Sequence, residues 1–115
     1  MSPDDVSIEL RKRATGIPTE EAGIDLLAQS VHGALLSGPW IRTDEHGPYF
    51  DTSRVDESGW LSGGEQRLLQ IAASLVDLDR TVPLAEVLTG LDEWHTKLVL
   101  NAMTHATGWS EVSKP

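Results

Sequence analysis

The sequence predicts a mainly α domain: a small single unit of three main helices plus a short one, with a short extended or hairpin element between helices one and two. Three observations lead there. Apolar residues recur at three-and-four spacing through three separate segments. Residues that cap helices stand at the heads of those segments. The stretch 40–59 has no helical period and carries Gly47-Pro48 between two aromatic arms. With 115 residues, 39% hydrophobic and 23% charged, the chain has the size and composition of one globular domain rather than of a disordered segment.

Residues 1–18 read as a flexible leader. Val6-Ser7-Ile8-Glu9-Leu10 suits a short strand or a turn of helix, and Thr15-Gly16-Ile17-Pro18 is a breaker. The first main helix is expected from Glu20 to Leu36, with Thr19 as N-cap and Glu20 and Glu21 in the first turn, where the helix dipole favours anions. Its buried stripe would be Ile24, Leu27, Val31, Ala34 and Leu35, and Gly38-Pro39 stops it. Trp40-Ile41-Arg42-Thr43 and Tyr49-Phe50-Asp51-Thr52 then form two extended arms around a turn.

A second main helix is expected from Ser62 to Val76, with Leu68, Ile71, Ala72 and Leu75 inward. Pro83 suits position N1 of a short helix, Leu84 to Gly90. Asp92 caps a last helix, Glu93 to Thr107, whose stripe is Trp94, Leu98, Ala102 and Met103, with Gly108 at C′. The folded domain is thus expected over 19–108, and 109–115 as a tail.

Bulk chemistry removes several function classes. There is no cysteine, so disulfides, thiol catalysis and thiolate metal sites are out. No apolar run reaches the ~18 residues of a membrane span, and Met1-Ser2-Pro3-Asp4-Asp5 is polar and acidic where a secretory signal is basic. The expected location is cytoplasmic. The net charge is -9, and three acids (Asp4, Asp5, Glu9) balance three bases (Arg11, Lys12, Arg13) in the first 18 residues. The excess lies on the rest of the chain, a surface that repels phosphate backbones and disfavours direct nucleic-acid binding. An acidic decoy that mimics DNA is an alternative, but the carboxylates are scattered rather than arrayed in a stripe.

The most legible motif is Leu61-Ser62-Gly63-Gly64-Glu65-Gln66-Arg67. Ser62 and Glu65 have the S-x-x-E spacing of a capping box. The same letters resemble the signature of ABC-type ATPases, LSGGQ or LSGGE leading into a helix. That resemblance implies an anion or nucleotide site at Ser62, Gly63, Gly64 and Glu65, presented to ATP on a partner ATPase. It also sets Glu86 at the catalytic glutamate and Leu91-Asp92 at the D-loop. Against it, the chain has no G-x-x-x-x-G-K-[ST], Ala85 stands at the Walker B aspartate, and Pro83 interrupts the strand expected there. The order aromatic–Leu–Ser–x–Gly–Glu, an amphipathic helix, then a short helix ending in Leu-Asp before a last helix is similar to small uncharacterised proteins of high-GC actinobacteria. Trp60 to Leu75 and Val82 to Ala106 carry that likeness, which implies no particular activity.

Other constellations fall short of chemistry. His95 and His105 are ten apart and share no helix face as i, i+4 ligands. His95 with Asp92 and Glu93 lacks a third spaced ligand, and Asp44, Glu45, His46 and Asp51 do not fit an EF-hand. No metal, cofactor or catalytic set is expected, although a small metal-binding protein or enzyme built on His95 is a competing reading. The aromatic segment Trp40, Tyr49 and Phe50 is the candidate partner surface. The expected function is a non-catalytic protein-interaction or regulatory module, with a protein partner or self-association.

Overall fold

The chain opens on a helix. In a computed structural model that describes residues 2–108, α1 spans Pro3–Ala14, with the Ser2 hydroxyl accepting from the Asp5 N–H as its cap. Pro3 takes the first turn, Asp4 and Asp5 sit at the positive end of the dipole, and Arg11, Lys12 and Arg13 at the negative end. Val6, Leu10 and Ala14, four apart, are buried in the core. The flexible leader expected over 1–18 is therefore corrected. The charge run is the outer face of an amphipathic helix, and its ends complement the dipole rather than marking a linker. The tail expected at 109–115 lies outside the described residues.

Helix α2 spans Pro18–Gln29 with Ile17, not Thr19, at the N-cap and Pro18 inside the first turn. It is the hub: α1, α3 (Gly63–Val76) and α5 (Glu93–Ala106) all pack on it. Gly23 lets α3 come close. A Cβ there would stand 2.6 Å from Val76 Cγ2 and 2.8 Å from the Ala72 carbonyl oxygen, so only a residue without a side chain fits the crossing.

The expected continuation of α2 to Leu36 does not form. Ser30 leaves the helical region, and Val31, His32 and Gly33 take left-handed φ values of 51°, 54° and 83° within a 3-10 segment, Ser30–Ser37. The Val31 N–H has a partner on another helix, described below. Leu35 and Leu36 still reach the core, but Ala34 is exposed.

The hairpin falls where the aromatic arms predict it. Strands β1 (Ile41–Asp44) and β2 (Gly47–Phe50) pair antiparallel, Ile41 opposite Phe50 and Asp44 opposite Gly47. The Asp44 carboxylate accepts from the His46 N–H at 2.7 Å, an Asx turn. Arg13 of α1 pins the turn through Asp44 (2.5 Å) and the Gly47 carbonyl (3.0 Å), and lies over the Tyr49 ring. Trp40 is not on this sheet's surface: it is wholly buried, and its Nε1–H donates to the Leu35 carbonyl at 2.7 Å.

Beyond the hairpin, α3 begins and ends as expected. The short helix α4 covers Leu84–Leu88, with Pro83 at its N-cap rather than N1. Helix α5 starts after Asp92 and buries the expected Leu98 and Ala102, but its inward face runs through Val99 rather than Trp94 and Met103. Leu98, Val99 and Ala102 are buried, whereas Trp94 (58% exposed) and Met103 lie outside. The run Leu98-Val99-Leu100 makes two adjacent faces apolar, and packing on α2 selects the one that also carries His95. Among the described residues, no helix is long and apolar enough to cross a membrane.

Candidate functional site

The starts of α3 and α5 face a common cleft of about 350 Å³, and the strained turn after α2 closes one side of it. Ser62, Gly64 and Glu65 line it from α3, Asp92 and His95 from α5, and Val31 from the turn. Two local sequence patterns, S-x-x-E and D-x-x-H, build its polar wall.

At the first, both halves of the capping box are formed. The Ser62 hydroxyl accepts from the Glu65 N–H at 3.2 Å, and the Ser62 N–H donates to Glu65 Oε1 at 2.9 Å. Leu61, just before the cap, packs partly buried against the core, and the Gln66 amide donates to its carbonyl at 3.0 Å. Ser62 Oγ therefore points at the helix it starts. The Ser62 N–H first, and the Ser62 hydroxyl second, hold the Glu65 carboxyl below its ordinary range. Since the folded value is the lower one, this pair stabilises above the ordinary glutamate range. It is lost as pH falls through the folded value. Ser62→Ala is expected to cost about 1 kcal/mol at neutral pH. Thermal unfolding at neutral and acid pH should show that loss at both, because the hydroxyl's partner is the Glu65 backbone N–H, whereas the loss in Glu65→Ala should shrink as the wild-type carboxyl protonates.

At the second, Asp92 accepts from the His95 N–H at 2.8 Å and from the ring Nδ1 at 2.9 Å. The backbone N–H is the larger cause, and with the ring it draws the Asp92 carboxyl below its usual range. The far ring nitrogen, Nε2, accepts from the Val31 N–H at 3.2 Å. A neutral ring that accepts at Nε2 carries its hydrogen on Nδ1, which is the tautomer Asp92 selects. The chain Asp92–His95–Val31 thus ties α5 to the strained turn. A β-branched residue in the left-handed region costs on the order of 1–3 kcal/mol and persists only where its surroundings hold it there.

An acid that orients a histidine supplies two of the three members of a hydrolase triad. Here, however, the nitrogen that would serve as base is taken by a backbone amide. The one cleft hydroxyl named in the signature, Ser62, is committed to Glu65. Among the described residues, no group of three or more His, Asp or Glu side chains is placed to hold a metal ion. His105, far from His95, joins the Glu21 carboxylate (2.8 Å) on α2, close to the Arg11–Asp25 pair that links α1 to α2.

Of the expected site residues, Ser62, Gly64 and Glu65 share this cleft, and Gly63 lies in the same first turn of α3. The expected aromatic surface is dispersed. Trp40 is core, and Tyr49 and Phe50 are half-buried against α1. Trp60, which is not among the expected residues, faces outward at 67% exposed, stacked on Trp40 with ring centroids 5.8 Å apart and planes 11° from parallel. Its place before the Ser62 cap is readable from the sequence, but its exposure is not, because the stack joins residues far apart in the chain. His95 was legible as the third residue after the cap Asp92. Comparison with protein-family models, curated proteins and solved structures finds no match.

Proposed function

We propose that this chain is a non-catalytic protein-interaction module, cytoplasmic, that docks a partner protein beside Trp60. One observation carries the reading: a largely exposed tryptophan held flat against a wholly buried one. Tryptophan is among the residues that dominate binding energy at interfaces. A free side chain loses rotamer entropy when it docks, and stacking on Trp40 removes much of that cost in advance. Trp94, also exposed, stands two residues beyond the cleft residue Asp92, as Trp60 stands two before Ser62. A net charge of -9 opposes close approach of two copies and favours a partner with basic surface. The occupied Ser62 hydroxyl and His95 ring support a binding role over a catalytic one.

The test compares wild type with Trp60→Ala and Trp94→Ala. The expected result is a defined complex retained by wild type, with Trp60→Ala weakening it by about 2 kcal/mol or more, roughly thirtyfold in Kd. Circular dichroism should show the variant still folded. If no partner and no self-association is found at micromolar concentration, or if both variants bind as wild type does, the reading fails.

A further inference from the structure

We infer that the turn Val31-His32-Gly33 is a proton-controlled latch on the cleft, with His95 as its sensor. Three observations meet there. Two consecutive non-glycine residues, one of them β-branched, are held in the left-handed region at φ 51° and 54°. The first offers its N–H to His95 Nε2 at 3.2 Å, a contact between residues 64 apart in the chain. Both partners, Val31 and His95, line the cleft, so a change at their contact alters its wall.

The chemistry has a sign. Neutral His95 accepts the Val31 N–H and donates from Nδ1 to Asp92. Protonation puts a hydrogen on Nε2, and two donors then face each other. The Asp92 contact survives and strengthens, because the imidazolium keeps its Nδ1–H and gains charge. The ring therefore stays on its helix while the turn loses its anchor. Freed of that anchor, the turn relaxes toward unstrained backbone, and the Val31 side of the cleft moves.

Among the described residues, few ionisable groups stand near the ring. Asp92 touches it from the cap of its own helix, and Glu65 lines the opposite wall from α3 while bonded to Ser62. Arg67 of α3 lies against Gly90, just before the Asp92 cap. His32 stands in the turn itself, beside Val31.

As control of docking, this latch rests on the interaction reading above. Its rearrangement is measured on the free chain, so the two ideas fail separately. The experiment follows amide hydrogen-exchange protection of Val31, together with imidazole nitrogen shifts of His95, between about pH 8 and pH 5, where histidine changes charge. Expected are an unprotonated, accepting Nε2 at the upper end and a roughly five- to tenfold loss of Val31 protection at the lower, as for one lost hydrogen bond. The loss should share the His95 midpoint, persist in His32→Asn and vanish in His95→Gln, whose amide oxygen accepts at every pH. Constant Val31 protection, a midpoint that follows His32, or an Nε2 already protonated at pH 8 would overturn the proposal. The last two readouts use wild-type protein and hold even where His95→Gln fails to fold.

Discussion

Trp40→Ala is expected to destabilise the domain by about 3–5 kcal/mol, the range for emptying an aromatic site in a packed core. Domains of this size are stable by about 5–15 kcal/mol in total, so the variant should be marginal or unfolded at room temperature. Three losses combine. The ring is wholly buried, and its removal leaves a void beside Leu35 and Gly38 and beneath Trp60. The Leu35 carbonyl loses the Nε1–H that satisfies it at 2.7 Å. Trp60 loses the surface it stacks on. Gly38 shows how closely the site is filled, since any Cβ there would enter the volume of the Trp40 ring.

Two companion variants separate these losses. Trp40→Phe keeps most of the apolar volume but orphans the Leu35 carbonyl, so about 1–3 kcal/mol is expected. Trp60→Ala removes the exposed ring alone and should cost far less. The double variant Trp40→Ala/Trp60→Ala, set against its two single variants, then measures the stacking energy, about 0.5–1.5 kcal/mol for an aromatic pair. Urea denaturation followed by far-ultraviolet circular dichroism gives all four stabilities without relying on tryptophan fluorescence. A loss below about 1 kcal/mol for Trp40→Ala would place that ring outside the core.

The elements legible in the sequence are those fixed by neighbours in the chain. The cap at Ser62–Glu65, the cap at Asp92 and the hairpin between the aromatic arms each depend on contacts within three to nine residues, and each forms where the residues predict it. The misread elements depend on distant partners. Val31 continues the apolar period of α2 without a break, and nothing within four residues says that its N–H will leave the helix for His95. Trp94 fits a helical stripe as well as Val99 does, and only the approach of α2 decides between the two faces. Trp40 and Trp60 are separated by a hairpin and a loop, so their stack, and with it the outward-facing aromatic, has no local signature. The candidate cleft was half visible for the same reason: its α3 wall is a motif, while its other walls are brought in by the fold.

Helix α1 is different, because its signals were all local and were outweighed by charge. Ser2, Pro3, Asp4 and Asp5 form a regular helix start, Arg11-Lys12-Arg13 a regular end, and Val6, Leu10 and Ala14 a stripe at four-residue spacing. Six charges in so short a segment read as solvated, yet an amphipathic helix needs only one apolar face. Leu10→Ala distinguishes the two descriptions. Leu10 is 1% exposed and belongs to the same core cluster as Ile24 of α2, against which Val76 of α3 packs. The substitution should therefore cost about 2–5 kcal/mol, as Leu→Ala does at buried sites. Each kilocalorie should lower Tm by about 4–8 °C in a domain of this length. Ile8→Ala, on the exposed side of the same helix, should stay within about 0.5 kcal/mol of wild type. A leader outside the fold would make both substitutions neutral, and a helix held only by its caps would make them equal. A large loss at Leu10 beside near-neutrality at Ile8 is the outcome that a packed, amphipathic α1 requires.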